Sequence, residues 1–453
     1  MKEIYISGSG TLTASQLESC SGSIAAFLKE KCVKTAAIIC GKSPLVFAAM
    51  RGCLMAGVCY IPVDEALPER RLQGILCNAD IVLYDSAETG AMADYSDLRE
   101  IVWNRRSFLL AVAEPELPAY RIYTSGTTGE PKGIEVSRGN VGNFLRWFCG
   151  IPAIAETKPR SVLEQAMFSF DLSVADLYYS LYTGARLTVI ERSLMSDLGG
   201  VFRRMRDSAA ELAVFTPGFA ELCLCDSLFC AELLPELKVI FFCGEVLKPM
   251  TAAKLFRRFP GVRIINAYGP TEACCAVTAA EITPDMTEGE LPIGDMSHTA
   301  GEISLAGNGE IVISGGSVAR YTDGLTGGFC GSGSERCFYT GDSGYIRDGK
   351  LYFGGRIDRQ IKIMGFRIEP ADIENNLLKI DGVLQAAVSA VRRGSRQSLS
   401  AVVRTDGSIT GEEIRAGLSE LVPAYMLPGK IVVADEIPLS PNGKLIRSDR
   451  TDE

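Results

Sequence analysis

YTSGTTGEPKG, residues Tyr123 to Gly133, packs three glycines, five hydroxyls and one lysine into eleven positions just after an apolar run. Glycines let a backbone come close to a ligand, hydroxyls and amides donate to oxygen atoms, and Lys132 adds a point charge, so the stretch suits a phosphate cradle. A solvated surface turn is the plain alternative. The Walker A arrangement is excluded: the only GKS, at Gly41 to Ser43, has Ala36 where the first glycine of G-x-x-x-x-G-K-[ST] belongs.

Outward from this stretch the chain alternates between apolar runs and helical patterns. TASQ (Thr13 to Gln16) offers a capping box, with Leu17, Ile24, Phe27 and Leu28 on one helical face. TAAIIC, a helix from Pro44, VCYIPV and a helix near LPERRLQGIL follow, and LTVI, LAVF, VIFF and VRIIN continue the pattern. Such alternation predicts an α/β fold, a large N-terminal body of mostly parallel sheets. Past Gly289 the glycines thicken and strands shorten (GEIVISGG, KLYFGGR), which predicts a small β-rich subdomain. From Asp358 the pattern changes to that of a small α+β C-terminal domain. The expected division is residues 1–357 and 358–453.

The 453 residues are 47% hydrophobic and 22% charged, with a formal net charge of −9. That balance argues against a nucleic-acid backbone as the main partner. The N-terminus shows no secretory h-region and no apolar run reaches spanning length, which predicts a cytoplasmic protein without membrane insertion. The fifteen cysteines lack metal-finger spacing and are expected to be reduced and mostly buried. His298, the single histidine, sits in a turn-like DMSHTA and is expected to be structural or solvated.

SGTTGEPKG resembles the phosphate loop of the adenylate-forming enzymes, the superfamily of acyl-CoA synthetases, luciferases and peptide-synthetase adenylation domains. Further motifs resemble that family in order: MAGVCYIPVD (Met55 to Asp64), FDLSVADLY (Phe170 to Tyr178), NAYGPTEA (Asn266 to Ala273), YTGD (Tyr339 to Asp342), GRIDRQIKIMGFRIEPADIE (Gly355 to Glu374) and PNGK (Pro441 to Lys444). The resemblance covers nearly the whole chain. It implies a reaction in which ATP and a carboxylate give an acyl-adenylate and pyrophosphate, and the acyl group then passes to a thiol. Positioning and charge neutralisation would carry the catalysis, with no protein base required.

The same resemblance assigns roles. Lys444, Thr127, Lys132 and Glu272 would be catalytic, with Glu272 the ligand of Mg2+. Thr124, Ser125, Gly126, Thr128, Gly129, Asn266, Ala267, Tyr268, Gly269, Thr271, Asp342 and Arg356 would bind the nucleotide, and Asp358 would be the hinge of the small domain. Two positions depart from the pattern around Lys444: Ser440 stands for the usual threonine and Ile446 for a common aspartate.

Asp171 of FDLS matches the aspartate that binds the substrate ammonium in amino-acid-activating relatives. A carboxylate in an apolar pocket is costly without a partner cation, which favours an amino acid over a plain acyl chain. FDLSVADLYYSLYTGA, TPGFAELCL, ELKVIFFCGEVL and VPAYMLP resemble most closely the D-alanine:D-alanyl carrier protein ligases, which supply D-alanine for teichoic acids. Cys243 then matches a cysteine that disfavours the L enantiomer, and Thr216, Gly244 and Val246 are further pocket-wall candidates. The implied partner is a carrier protein acting in trans, docking on a surface that includes Arg392, Arg393 and Arg396. A stand-alone peptide-synthetase-type enzyme for another small amino acid, or an acyl-CoA synthetase, are the alternative readings.

Overall fold

The computed structural model describes residues 3–89, 95–103, 114–126, 129–322, 327–331, 335–363, 365–393 and 396–437. They form two compact units: one of residues 3–65, 78–122 and 133–357, the other of Ala66–Cys77, Tyr123–Lys132 and the chain from Asp358.

The first unit holds two large, mostly parallel sheets. One has eight strands in the order Thr278–Ile282, Arg263–Tyr268, Val239–Phe242, Leu212–Phe215, Ser161–Glu164, Arg186–Val189, Glu3–Ser7, Gly10–Thr13. Its six central strands pair in parallel and its two outer pairings are antiparallel. The second has seven strands, with Pro118–Thr124, Cys59–Asp64, Thr35–Cys40, Ile81–Tyr84 and Ser96–Asp97 running parallel and the two-residue strand Arg320–Tyr321 pairing antiparallel with Lys132–Ser137. Strands such as Leu212–Phe215 and Val239–Phe242 are buried throughout, because crossover helices cover both faces; hence their unbroken apolar text.

The helices begin where the caps predict. Thr13 caps Ala14–Glu30, its hydroxyl accepting from the Gln16 amide while the Gln16 side chain accepts from the Thr13 amide. Ser43 caps Pro44–Ala56 with proline at the first turn, and Gly57 ends that helix in the left-handed region (φ 76°). A six-stranded antiparallel sheet built from segments between Gly294 and Arg356 forms the expected β-rich part.

One expectation is corrected here. Cys330 and Cys337 face each other across the antiparallel strands Phe329–Cys330 and Cys337–Arg347 and are disulfide-bonded. Directly opposed positions on neighbouring strands bring the two sulfurs together, a proximity that their seven-residue separation does not announce. The other thirteen cysteines carry thiols, and only Cys32, Cys77 and Cys225 are exposed.

In the second unit, a hairpin (Ile361–Ile363, Phe366–Ile368) is joined by a three-stranded sheet (Val383–Arg393, Arg396–Thr405, Lys430–Val433) and the helices Pro370–Leu377 and Gly411–Ser419. The helix Glu69–Leu76 belongs to this unit: Arg71 is buried, its guanidinium donating to Asp372 and to the Leu421 carbonyl. Among the described residues no helix is long and apolar enough to cross a membrane.

Candidate active site

Four neighbouring parallel strands of the eight-stranded sheet deliver the predicted substrate and nucleotide residues at their carboxyl ends, where open α/β sheets bind ligands. Register aligns Phe215 with Phe242 and Phe242 with Asn266, so Thr216 and Cys243 leave the sheet at the level of Ala267, whose strand runs one residue further. Asp171 lies in the segment that follows the adjacent strand Ser161–Glu164.

Asp171 accepts a hydrogen bond from the Thr271 hydroxyl at 2.5 Å, which joins the two motifs FDLS and YGPTE. Cys243 is buried, its thiol donating weakly to the Cys275 carbonyl at 3.7 Å. The pair Cys274 and Cys275 adopts left-handed backbone (φ 59° and 76°), an unusual double turn for residues with side chains. The Cys243 thiol and burial together push the Cys275 thiol well above its ordinary value, and burial raises Cys274 to about 12, so both stay protonated.

The other wall candidates separate. The Thr216 hydroxyl accepts from the Phe219 amide and caps the helix Pro217–Cys223. A side-chain carbon at Gly244 would come within 4.0 Å of both Phe170 and Thr216, so that glycine does lie beside the FDLS segment. Val246 is 58% exposed.

Asp342 is buried and receives two donors. The Tyr268 phenol donates at 2.7 Å and the Arg356 guanidinium at 2.8 Å, Arg356 standing directly opposite Asp342 in the strand pair. Burial, reinforced by the Asp342 charge, pushes the Tyr268 phenol far up, so it remains a donor. Asn266 turns its amide to the Pro292 carbonyl (2.8 Å), leaving backbone rather than side chain at the strand end. Gly269 sits in the turn between Tyr268 and Thr271, packed on Ala276.

Glu272 is buried and accepts from the Tyr321 hydroxyl at 3.3 Å, while its backbone carbonyl accepts from the Ala319 amide. Tyr321 carries no motif that marks it in the sequence; only the fold brings its hydroxyl to Glu272. Among the described residues no three His, Cys, Asp or Glu side chains gather as a metal cage. Glu272 offers one carboxylate, a hard oxygen donor that suits Mg2+ when phosphate oxygens complete the set. His298 stacks on Trp147, and its ring Nε2 lies 3.1 Å from the Trp147 carbonyl, a structural placement.

In the second unit the opening stretch forms a tight loop. The Gly129 amide donates to the Gly126 carbonyl, Gly129 is left-handed (φ 86°), and a side-chain carbon on Gly126 would fall 2.1 Å from the Glu130 carbonyl oxygen. Thr124 ends the strand Pro118–Thr124 and Lys132 begins Lys132–Ser137. The Ser125 hydroxyl donates to the Arg367 carbonyl and accepts from the Glu369 amide, two partners that sequence reading did not supply. Burial raises the Glu369 carboxyl, with Arg367 opposing it. Asp358 accepts from the Gln360 amide. Thr127, Thr128, Ser440, Lys444 and Ile446 lie outside the described residues, as do the side chains of Arg392, Arg393 and Arg396.

Comparison with known proteins gives the family. Residues 1–321 match the AMP-binding enzyme family and residues 372–444 the AMP-binding enzyme C-terminal domain. The chain is an AMP-binding enzyme. A D-alanine–D-alanyl carrier protein ligase of Listeria monocytogenes is 35% identical over 443 residues, spanning 89% of this chain and 86% of that protein. One from Bacillus cereus is 34% identical over 438 residues, spanning 87% and 84%. Among solved structures, a Vibrio cholerae adenylation domain, AlmE, in complex with glycyl-adenosine-5'-phosphate superposes with a TM-score of 0.82 at 20% identity, over 98% of this chain and 93% of that one. An o-succinylbenzoate CoA synthetase of Bacillus subtilis gives 0.82 at 21%, over 98% and 94%. These two share the fold. The AMP-binding enzyme described here is therefore an ATP-using, adenylate-forming enzyme of mixed α/β architecture with a small C-terminal domain.

Proposed function

We propose that this AMP-binding enzyme activates D-alanine as an aminoacyl-adenylate and transfers it to the phosphopantetheine thiol of a carrier protein. The observation that carries the reading is Asp171, a carboxylate oriented by Thr271 in the segment next to Gly244 and Cys243. An ammonium ion meets it as a charge partner, which a plain acyl chain does not offer. The curated relatives named above support D-alanine and a carrier protein as substrate and acceptor.

In this reading the Asp342 carboxylate, held by Tyr268 and Arg356, accepts from the ribose hydroxyls. The loop from Thr124 to Lys132 surrounds the phosphates, and Lys444 offsets charge that develops between the substrate carboxylate and the α-phosphate. Glu272 would hold Mg2+, which would supply neutralisation of phosphate charge. Thioester formation follows a rotation of the C-terminal domain about Asp358. The reaction runs in the cytoplasm, where ATP is supplied.

Pyrophosphate exchange into ATP, compared across D-alanine, L-alanine, glycine, serine and cysteine, tests the substrate. D-alanine should give the highest rate. A different preferred amino acid would overturn the D-alanine assignment and favour the peptide-synthetase-type reading; exchange confined to acyl or aryl acids would overturn both. Lys444→Ala should abolish exchange while ATP binding, read by calorimetry, stays within about twofold.

A further inference from the structure

The GKS at Gly41 to Ser43, excluded as a phosphate loop, has its lysine almost fully enclosed: Lys42 is 7% exposed. It follows the carboxyl end of the strand Thr35–Cys40 in the seven-stranded sheet, yet its ammonium serves the neighbouring sheet. The Nζ donates to the Gln165 carbonyl at 3.0 Å and the Ile190 carbonyl at 2.8 Å, pairs with Glu164 at 2.8 Å, and stands 5.9 Å from the centre of the Phe168 ring. Three of these four partners lie between Glu164 and Phe168, the root of the segment that ends at Asp171. The segment continues as a tight turn, with the Phe170 amide donating to Met167 and the Ser173 hydroxyl to the Phe170 carbonyl.

A lysine enclosed among apolar side chains is expensive, and a methionine would fill a similar volume without that cost. The site keeps the charge with two enclosed carboxylates near it, Glu164 and Asp176, both fully buried. Such an arrangement fixes geometry more than it adds stability. We infer that Lys42 is a positioning residue for substrate recognition: by gripping Gln165, Glu164 and Phe168 it sets where the Asp171 carboxylate meets the amino acid's ammonium. This rests on the reading of Asp171 as the ammonium-binding group.

The experiment measures apparent KM for both substrates in pyrophosphate exchange, using the amino acid that exchanges fastest, for Lys42→Met, Lys42→Arg, Phe168→Leu and Asp171→Asn. A displaced Asp171 weakens one substrate and spares the other. Lys42→Met should raise the amino-acid KM about tenfold with the ATP KM within about twofold, and Lys42→Arg should recover most of that loss. Phe168→Leu, which leaves the buried ion pair in place, should give the same split at about threefold, and it keeps the test open if Lys42→Met does not fold. Equal rises in both KM values, or a lowered Tm with both KM values unchanged, would reduce Lys42 to a core residue. Should Asp171→Asn alone raise the amino-acid KM, the Lys42 inference fails and the Asp171 reading stands. Should Asp171→Asn leave that KM unchanged, both fall.

Discussion

A phenol and a guanidinium donate to one buried carboxylate at Asp342, so the group that would receive the ribose is oriented before nucleotide arrives. Tyr268→Phe removes one donor and leaves the carboxylate short in a dry setting, a loss of about 1–3 kcal/mol. The ATP KM should rise by about tenfold, with the amino-acid KM little changed; an unaltered ATP KM would disconnect this triad from nucleotide binding. Cys243 offers a second test. Cys243→Ala should narrow the preference for D- over L-alanine in pyrophosphate exchange, and unchanged discrimination would make it an ordinary buried thiol. At this scale the sequence identifies types and order well. FDLS and YGPTE are legible as motifs, yet the Thr271 to Asp171 bond is a through-space fact between residues a hundred positions apart. Likewise Thr216 is a plausible wall residue in text, and only the fold commits its hydroxyl to a helix cap.

Elements follow local rules closely in this chain. The short apolar runs became buried parallel strands because period and length agree with the sheet environment, and TASQ became a capping box because both of its halves are local. Thr13→Ala should cost about 1 kcal/mol and lower Tm without altering either KM. The stretch around Gly126 obeys a tighter rule. Gly126→Ala places a carbon against the Glu130 carbonyl, so the turn must open; adenylation kcat should fall at least about tenfold with the fold retained, as read by pyrophosphate exchange beside circular dichroism. Near-normal exchange would mean that the loop accommodates the methyl and that its tightness is incidental. The disulfide is an element-level feature that text concealed, since cross-strand opposition depends on strand register.

Across the whole molecule, buried charge leaves a pH signature. Burial raises the Glu164 carboxyl from an ordinary 4.5 to about 7 despite Lys42, and raises Asp176 well above its own ordinary value. The folded pair therefore holds a proton that the unfolded chain has released, so its contribution is fully present below about pH 4.5 and is lost as pH rises through about 7. Tm measured between pH 5 and 8 should fall more steeply in wild type than in Glu164→Gln; identical slopes would refute a raised Glu164 carboxyl. Architecture at this scale was legible as alternation, but the grouping of Ala66–Cys77 and Tyr123–Lys132 with the chain from Asp358 is not encoded in any periodicity. It arises from particular contacts such as the Arg71 grip on Asp372 and Leu421. Removing one side of that buried pair, as in Arg71→Ala, should cost about 3–5 kcal/mol. Chimeric synthetases that exchange everything after Ile357 for a homologue's sequence would keep Arg71 but lose the Asp372 carboxylate and the Leu421 carbonyl that it grips. A graft that carries its donor's own counterpart of Ala66–Cys77 keeps the pair intact, so the natural unit of exchange in this enzyme is a set of three segments.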